Sequence, residues 1–164
     1  MRPTVAYESD PIAQKLNDLV SSQELYMGLM CFDGLNAAEQ ALIGTWELVN
    51  EVYNGGFAQY FHNSSREHAA SMIAVFRSID ARRAAAILES AIALAGPGTR
   101  WSDEPNFVAA INSMPSDVKN RLAELGCELY DELDDLHLRV FRYLSKHRDQ
   151  IEAPADFWTE PTSQ

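Results

Sequence analysis

Apolar residues recur along this chain at intervals of three and four, and no stretch alternates with a sustained period of two. That pattern predicts helices and no sheet. Ile12, Leu16, Leu19 and Val20 share one helical face behind Asp10-Pro11, where aspartate caps a helix and proline suits its first turn. A second apolar segment, Leu25 to Met30, follows Ser21-Ser22 and reads as helical, with continuity from the first helix allowed. Asp33-Gly34 breaks the pattern. Asn36 restarts it, with Glu39 three residues on as in a capping box. Leu35, Ala38, Leu42, Thr45, Val49 and Val52 keep helical spacing, and Trp46 and Tyr53 widen the stripe.

This helix is expected to stop at Asn54-Gly55-Gly56, residue types that accept the left-handed conformation closing a C-terminus. Phe57 to His62 then makes one or two turns with Phe57, Tyr60 and Phe61 inward. Ser64, followed by Glu67, reads as a new N-cap for a helix lined by Ala69, Met72, Ile73 and Phe76. Asp80 is expected to cap the next, carried by Ala84, Ile87, Leu88, Ala91, Ile92 and Ala95 and ended by Gly96-Pro97-Gly98. Ser102-Asp103-Glu104-Pro105 opens a short helix with Phe107, Val108 and Ile111, stopped at Met114-Pro115. Ser116 is expected to cap the last element, where Val118, Leu122, Leu125, Leu129, Leu133, Leu136, Val140 and Leu144 step without interruption. This is one long helix or two joined near Asp134-Asp135. The tail 153–164 carries Pro154, Pro161 and Phe157-Trp158, and it docks or frays. The expectation is an all-α single compact domain over residues 1–164, with seven to nine helices.

Composition narrows the partners. The chain has 164 residues, 46% of them apolar, enough for one real core. Its 13 basic and 24 acidic residues give a net charge of -11. That disfavours nucleic acid and anionic membrane as direct ligands and favours a protein partner with a basic surface. The N-terminus has no apolar core and does not read as a signal peptide, and the run Leu25 to Phe32 is too short to span a bilayer. Cys31 and Cys127 require no oxidising compartment. A cytoplasmic protein is expected.

Two features compete as sites. The first is the run Trp46 to Ser64, where Gly55 and Gly56 permit a tight reversal beneath Phe57. Gln59 and Asn63 stand one helical turn apart, so their amides share a face and are expected to bond loop backbone groups. The alternative is a polar pocket for a small ligand or an enzyme reaction, built from Asn54, Gln59, Tyr60, His62 and Asn63. The second feature is acidic: Glu124, Glu128, Asp131, Glu132, Asp134 and Asp135 lie between Leu122 and Leu138 with no basic residue among them. At about 100° per residue, Glu124, Glu128, Asp131 and Asp135 oppose the leucine stripe as unpaired like charges. With steps of about 4.5 and 6 Å, they would stand in for alternate phosphates of DNA, which rise about 3.4 Å each along one strand, if a second element supplied a matching row. In the simpler reading, these acids only keep an amphipathic helix soluble.

Catalytic and metal motifs are missing. Asp134-Asp135-Leu136-His137 gives one Glu/Asp-x-x-His copy where a di-iron bundle needs two. Glu47 and Glu51 have no histidine at the required spacing, and His62 and His68 are badly placed for a shared ion. There is no nucleophile elbow, phosphate loop or His-Glu-x-x-His. Neither enzyme activity nor a cofactor is expected. Arg139, Arg142, Lys146 and Arg148 follow the acidic run, so a contact between two copies, acidic half to basic half, is also allowed.

The stretch Val52 to Ser64 resembles the signature V-x-N-G-G-F-x-Q-Y-F-x-N-S of a bacterial all-helical family of unknown function, whose characterised member is a DNA-mimic protein. Asn54, Gly55, Gly56, Phe57, Gln59, Tyr60, Phe61, Asn63 and Ser64 all fit. Tyr53 stands where the family often has asparagine. By element order the resemblance spans about residues 36–150. It implies an acidic helical protein, with a homodimer allowed, resembling a characterised member that binds a DNA-binding regulator in place of DNA. The signature itself reads as packing, which leaves a partner to the acidic face.

Overall fold

The computed structural model describes residues 10–27, 32–96 and 109–161. Six α-helices can be followed in it: α1 (Pro11–Met27), α2 (Ala37–His62), α3 (Ala69–Ser78), α4 (Arg82–Ala95), α5 (Ser116–Asp131) and α6 (Leu133–Lys146). Residues 109–112 form a further helical turn, and 3-10 turns punctuate the chain. The described residues contain no strand. The all-α single-domain expectation holds. The structure expected at 28–31, 97–98 and 102–108 lies outside the described residues.

α2 is the centre of the packing, against α3 on one side and α5 on another, while α1 lies on α6 and α3 on α4. The expected stripe Leu35, Ala38, Leu42, Thr45, Val49 and Val52 is buried throughout, and so are Phe57, Tyr60 and Phe61. These last three rings pack on one another with centroids 5.5 to 6.4 Å apart, the spacing at which aromatic pairs attract. At Gly55-Gly56 the helical path breaks: Gly55 has φ -166°, ψ 23° and Gly56 has φ 71°, ψ -175°. Only glycine adopts the second conformation without strain. Helix α5 crosses this kink at its own glycine. A Cβ added to Gly126 would stand 3.7 Å from Gly56 Cα and 3.4 Å from Val52 Cγ1.

Local capping was partly legible. Asp10 accepts the Ile12 N–H at 2.9 Å with Pro11 opening α1, and α1 runs through Ser21-Ser22 to Met27. Asn36 and Glu39 form the reciprocal capping box. Three expected caps are corrected. Ser64 opens a 3-10 turn, Ser64–His68, and α3 begins only at Ala69. Asp80 sits in a turn at φ 60°, and Ala81 precedes α4. Arg82 and Arg139 engage its carboxylate there, which keeps it from the helix amides. Ser116 is the first residue of α5 behind Pro115, and makes no side-chain cap bond. The last element is two helices jointed at Glu132, near the expected Asp134-Asp135.

The tail docks. Lys15 Nζ donates to the carbonyls of Asp156, Phe157 and Thr159 at 2.8, 3.1 and 2.8 Å, fastening this segment to α1. Phe157 is buried against Phe141, and the Arg148 guanidinium lies 5.0 Å from the Trp158 ring centre.

Candidate functional site

The acidic run on α5 and α6 is less open than its sequence indicates. Arg121, one residue before the run, reaches both Glu124 at 2.9 Å and Glu128 at 3.0 Å. Arg83 of α4 pairs with Glu132 at 2.8 Å. Arg139, just after the run, holds Asp135 at 2.5 Å and Asp80 at 3.2 Å. The expectation of unpaired charges on this face therefore fails for Glu124, Glu128 and Asp135, and Glu132 beside them is paired as well. Asp131 and Asp134 are exposed and make no ion pair among the described residues. These pairs are largely solvated, so each is held weakly, at about 0–1 kcal/mol, and a competing basic partner can displace the arginine. Asp80, Arg83, Glu132, Asp135 and Arg139 line a charged groove of about 270 Å³ between α4 and α6.

The signature builds a second, less exposed acidic centre. The kink folds the short limb Phe57–His62 back toward the long one, so two amides meet one carboxylate. Gln59 Nε2 donates to Glu51 Oε2 at 2.9 Å and Asn63 Nδ2 donates to the same oxygen at 2.6 Å. The two amides do share a face, but they bond Glu51 and not loop backbone groups. Glu47 lies one turn before Glu51 on α2. Burial raises its carboxyl above the ordinary value of 4.5, and the negative charge of Glu51 adds to this. Tyr60, only 1% exposed, is pushed up by burial and further by Glu47 and Glu51, so its hydroxyl stays protonated. Of the pocket expected at Asn54, Gln59, Tyr60, His62 and Asn63, the fold keeps Tyr60 in the core and leaves Asn54 and His62 exposed. An open groove of about 490 Å³ runs past Gln59, His62, Asn63, Asn112 and Lys119. Signature residues Gly55, Gly56, Phe57 and Phe61 serve the kink and the core.

Arg66 and His137 are buried polar residues whose structural roles the sequence did not assign. His137, 3% exposed on α6, has Nδ1 3.5 Å from the Asp10 carboxylate. Asp10 is held below its ordinary value, first by its bond with His137 and then by the Ile12 N–H, against the opposing effect of burial. Arg66 is buried, and its Nη1 donates to the carbonyls of His62 and Asn63, fastening the turn after α2. The Asp-Asp-Leu-His spacing did mark His137, although for a metal. Among the described residues no three or more His, Cys, Asp or Glu gather as a metal set. No helix among them is long and apolar enough to cross a membrane.

Comparison with known proteins places these features. Residues 33–147, from the first 3-10 turn to the end of α6, match the family described as DMP19-like protein. No curated protein and no solved structure matches the chain.

Proposed function

The chain belongs to the DMP19-like protein family, and on that premise we propose that it is an acidic protein-interaction module that binds a basic DNA-binding regulator in place of DNA. Family membership carries this reading. The surplus of 24 acidic over 13 basic residues supplies the physical attraction. The partner face runs along α5 and α6. Asp131 and Asp134 offer open carboxylates there, while Glu124, Glu128, Glu132 and Asp135 become available when partner arginines replace Arg121, Arg83 and Arg139. Such exchange costs little because surface pairs are weak, and it sets the order of contact: open acids first, paired acids after. The protein works in the cytoplasm, without enzyme activity, as a monomer or a homodimer.

The test is capture from native lysate at low salt. A DNA-binding protein should be recovered and released by duplex DNA and by added salt. The double variant Asp131→Asn/Asp134→Asn should slow its association. Recovery of no basic protein at low salt refutes the proposal. The groove beside Gln59 and Asn63 favours a second reading, a small-ligand binder. Against it, both amide nitrogens are already committed to Glu51.

A further inference from the structure

Positive charge gathers in one place on this acidic chain. A groove of about 250 Å³ lies between the turn joining α3 to α4 and the facing side of α6, with Asp80 on one wall and Asp135, Arg139, Arg142, Tyr143 and Lys146 on the other. At Asp80 and Arg139 it adjoins the charged groove where Arg82 and Arg83 stand. Both of its carboxylates are already neutralised: Arg139 holds Asp135 and one oxygen of Asp80, and Arg82 holds the other. What remains open is cationic. The Lys146 ammonium, on an exposed residue, makes no ion pair or hydrogen bond among the described residues, and the Tyr143 hydroxyl makes no hydrogen bond among them. Arg142 meets only Glu160, whose Oε1 lies 3.4 Å from both Nε and Nη2, with the two side chains 61% and 56% exposed. That contact comes from the docked tail, extended at Thr159. An extended acidic stretch of this chain therefore already reaches one of the groove's arginines.

We infer that this groove docks an acidic segment of a partner protein, an extended stretch with carboxylates at alternate positions, and that Glu160 is the resident competitor. Arg142 and Lys146 stand one helical turn apart, about 6 Å along α6. Alternate residues of an extended chain lie about 6.6 Å apart on one side. Two such carboxylates therefore meet both cations at once, the arginine through its planar N–H fork and the lysine as a point charge. The Tyr143 hydroxyl adds a neutral donor in the same groove. Displacing Glu160 costs little, because a pair this exposed is weakly held. Nucleic acid fits worse: a dense polyanion is repelled by the chain's net charge of -11, whereas a short segment with two carboxylates responds mainly to the cations within a screening length. The proposed function concerns a basic partner on the acids of α5 and α6, so either claim can fail alone.

A peptide of alternating glutamate and glycine, titrated into the isotopically labelled full chain at low salt, tests the groove through the arginine Nε–H signals and the backbone signals of residues 139–146. Saturable shifts there are expected. Arg142→Gln and Lys146→Gln, both at exposed positions, should each weaken binding by up to about fivefold, the loss of one solvated charge pair, and the double variant by more. Arg121→Gln, the same change of charge outside the groove, should bind as the parent does. Glu160→Gln, which removes the competitor, should tighten binding by up to about fivefold. Absence of saturable shifts, no loss in the Arg142→Gln/Lys146→Gln double variant, an equal loss in Arg121→Gln, or weaker binding by Glu160→Gln overturns the proposal. Tighter binding of inorganic phosphate or duplex DNA than of the peptide at the same signals overturns it too, and makes the groove a phosphate site. So does self-association in light scattering that Arg142→Gln abolishes, if the peptide does not bind, because the occupant is then a second copy of the chain.

Discussion

Replacing Gly56 by alanine tests the kink across which Gln59 and Asn63 reach Glu51. The added Cβ would meet no heavy atom within 4 Å, so packing cannot oppose it. The backbone does: at φ 71°, ψ -175° a residue with a side chain is strained by about 1–3 kcal/mol. For a chain of this length each kcal/mol lowers Tm by about 2–4 °C, so the loss should fall between roughly 2 and 12 °C. The internal control is Gly126→Ala on the facing helix. There the conformation is helical, the new contacts at 3.4 and 3.7 Å are ordinary, and alanine should gain about 0.5–1 kcal/mol. Thermal unfolding followed by circular dichroism, with urea titration for the free energies, gives both values. An unchanged or higher Tm for Gly56→Ala would refute the conformational argument. A loss of equal size in Gly126→Ala would show that crowding between α2 and α5 governs the site.

Three further expectations rest on single residues. Glu47 has a folded pKa above 4.5, so its stabilising contribution is full below 4.5 and is lost as pH rises through the folded value; Glu47→Gln should raise stability at neutral pH and flatten that part of the pH profile, read from urea midpoints. Asp10 has a folded pKa below 3.8, so its contribution is present above 3.8 and lost as pH falls through the lowered value. Asp10→Ala should cost about 0.5–2 kcal/mol from the cap alone, and more because His137 loses its carboxylate; a chemical-denaturation difference near zero would contradict this. Lys15→Met should free the segment 155–161 while the helices persist, visible as early proteolytic cleavage there with unchanged helical circular dichroism.

The helices and most core positions were legible because spacing at three and four, with glycine and proline stops, is a local property of the chain. The Asn36–Glu39 box and the Asp10 cap were legible for the same reason: donor and acceptor lie within one turn. Asp80 and Ser116 show where that logic ends. Arg139, remote in sequence, competes for Asp80, while Ser116 lies one residue inside its helix behind Pro115. The acidic run carries the same lesson in charge. Its own residues contain no cation, yet Arg121 and Arg139 fold in from its two ends and Arg83 reaches across from α4. Glu51 meets Gln59 and Asn63 from eight and twelve residues away, a meeting that depends on the angle of the glycine kink. Residue types and spacing determined the helices, the break at Gly55-Gly56 and the excess of negative charge. Arg121–Glu124 and Arg139–Asp135 lie within one helical turn and belong to the local pattern, whereas tertiary structure alone decided that Arg83 neutralises Glu132 and that Arg139 also reaches Asp80, because those side chains find partners through space and not along the chain.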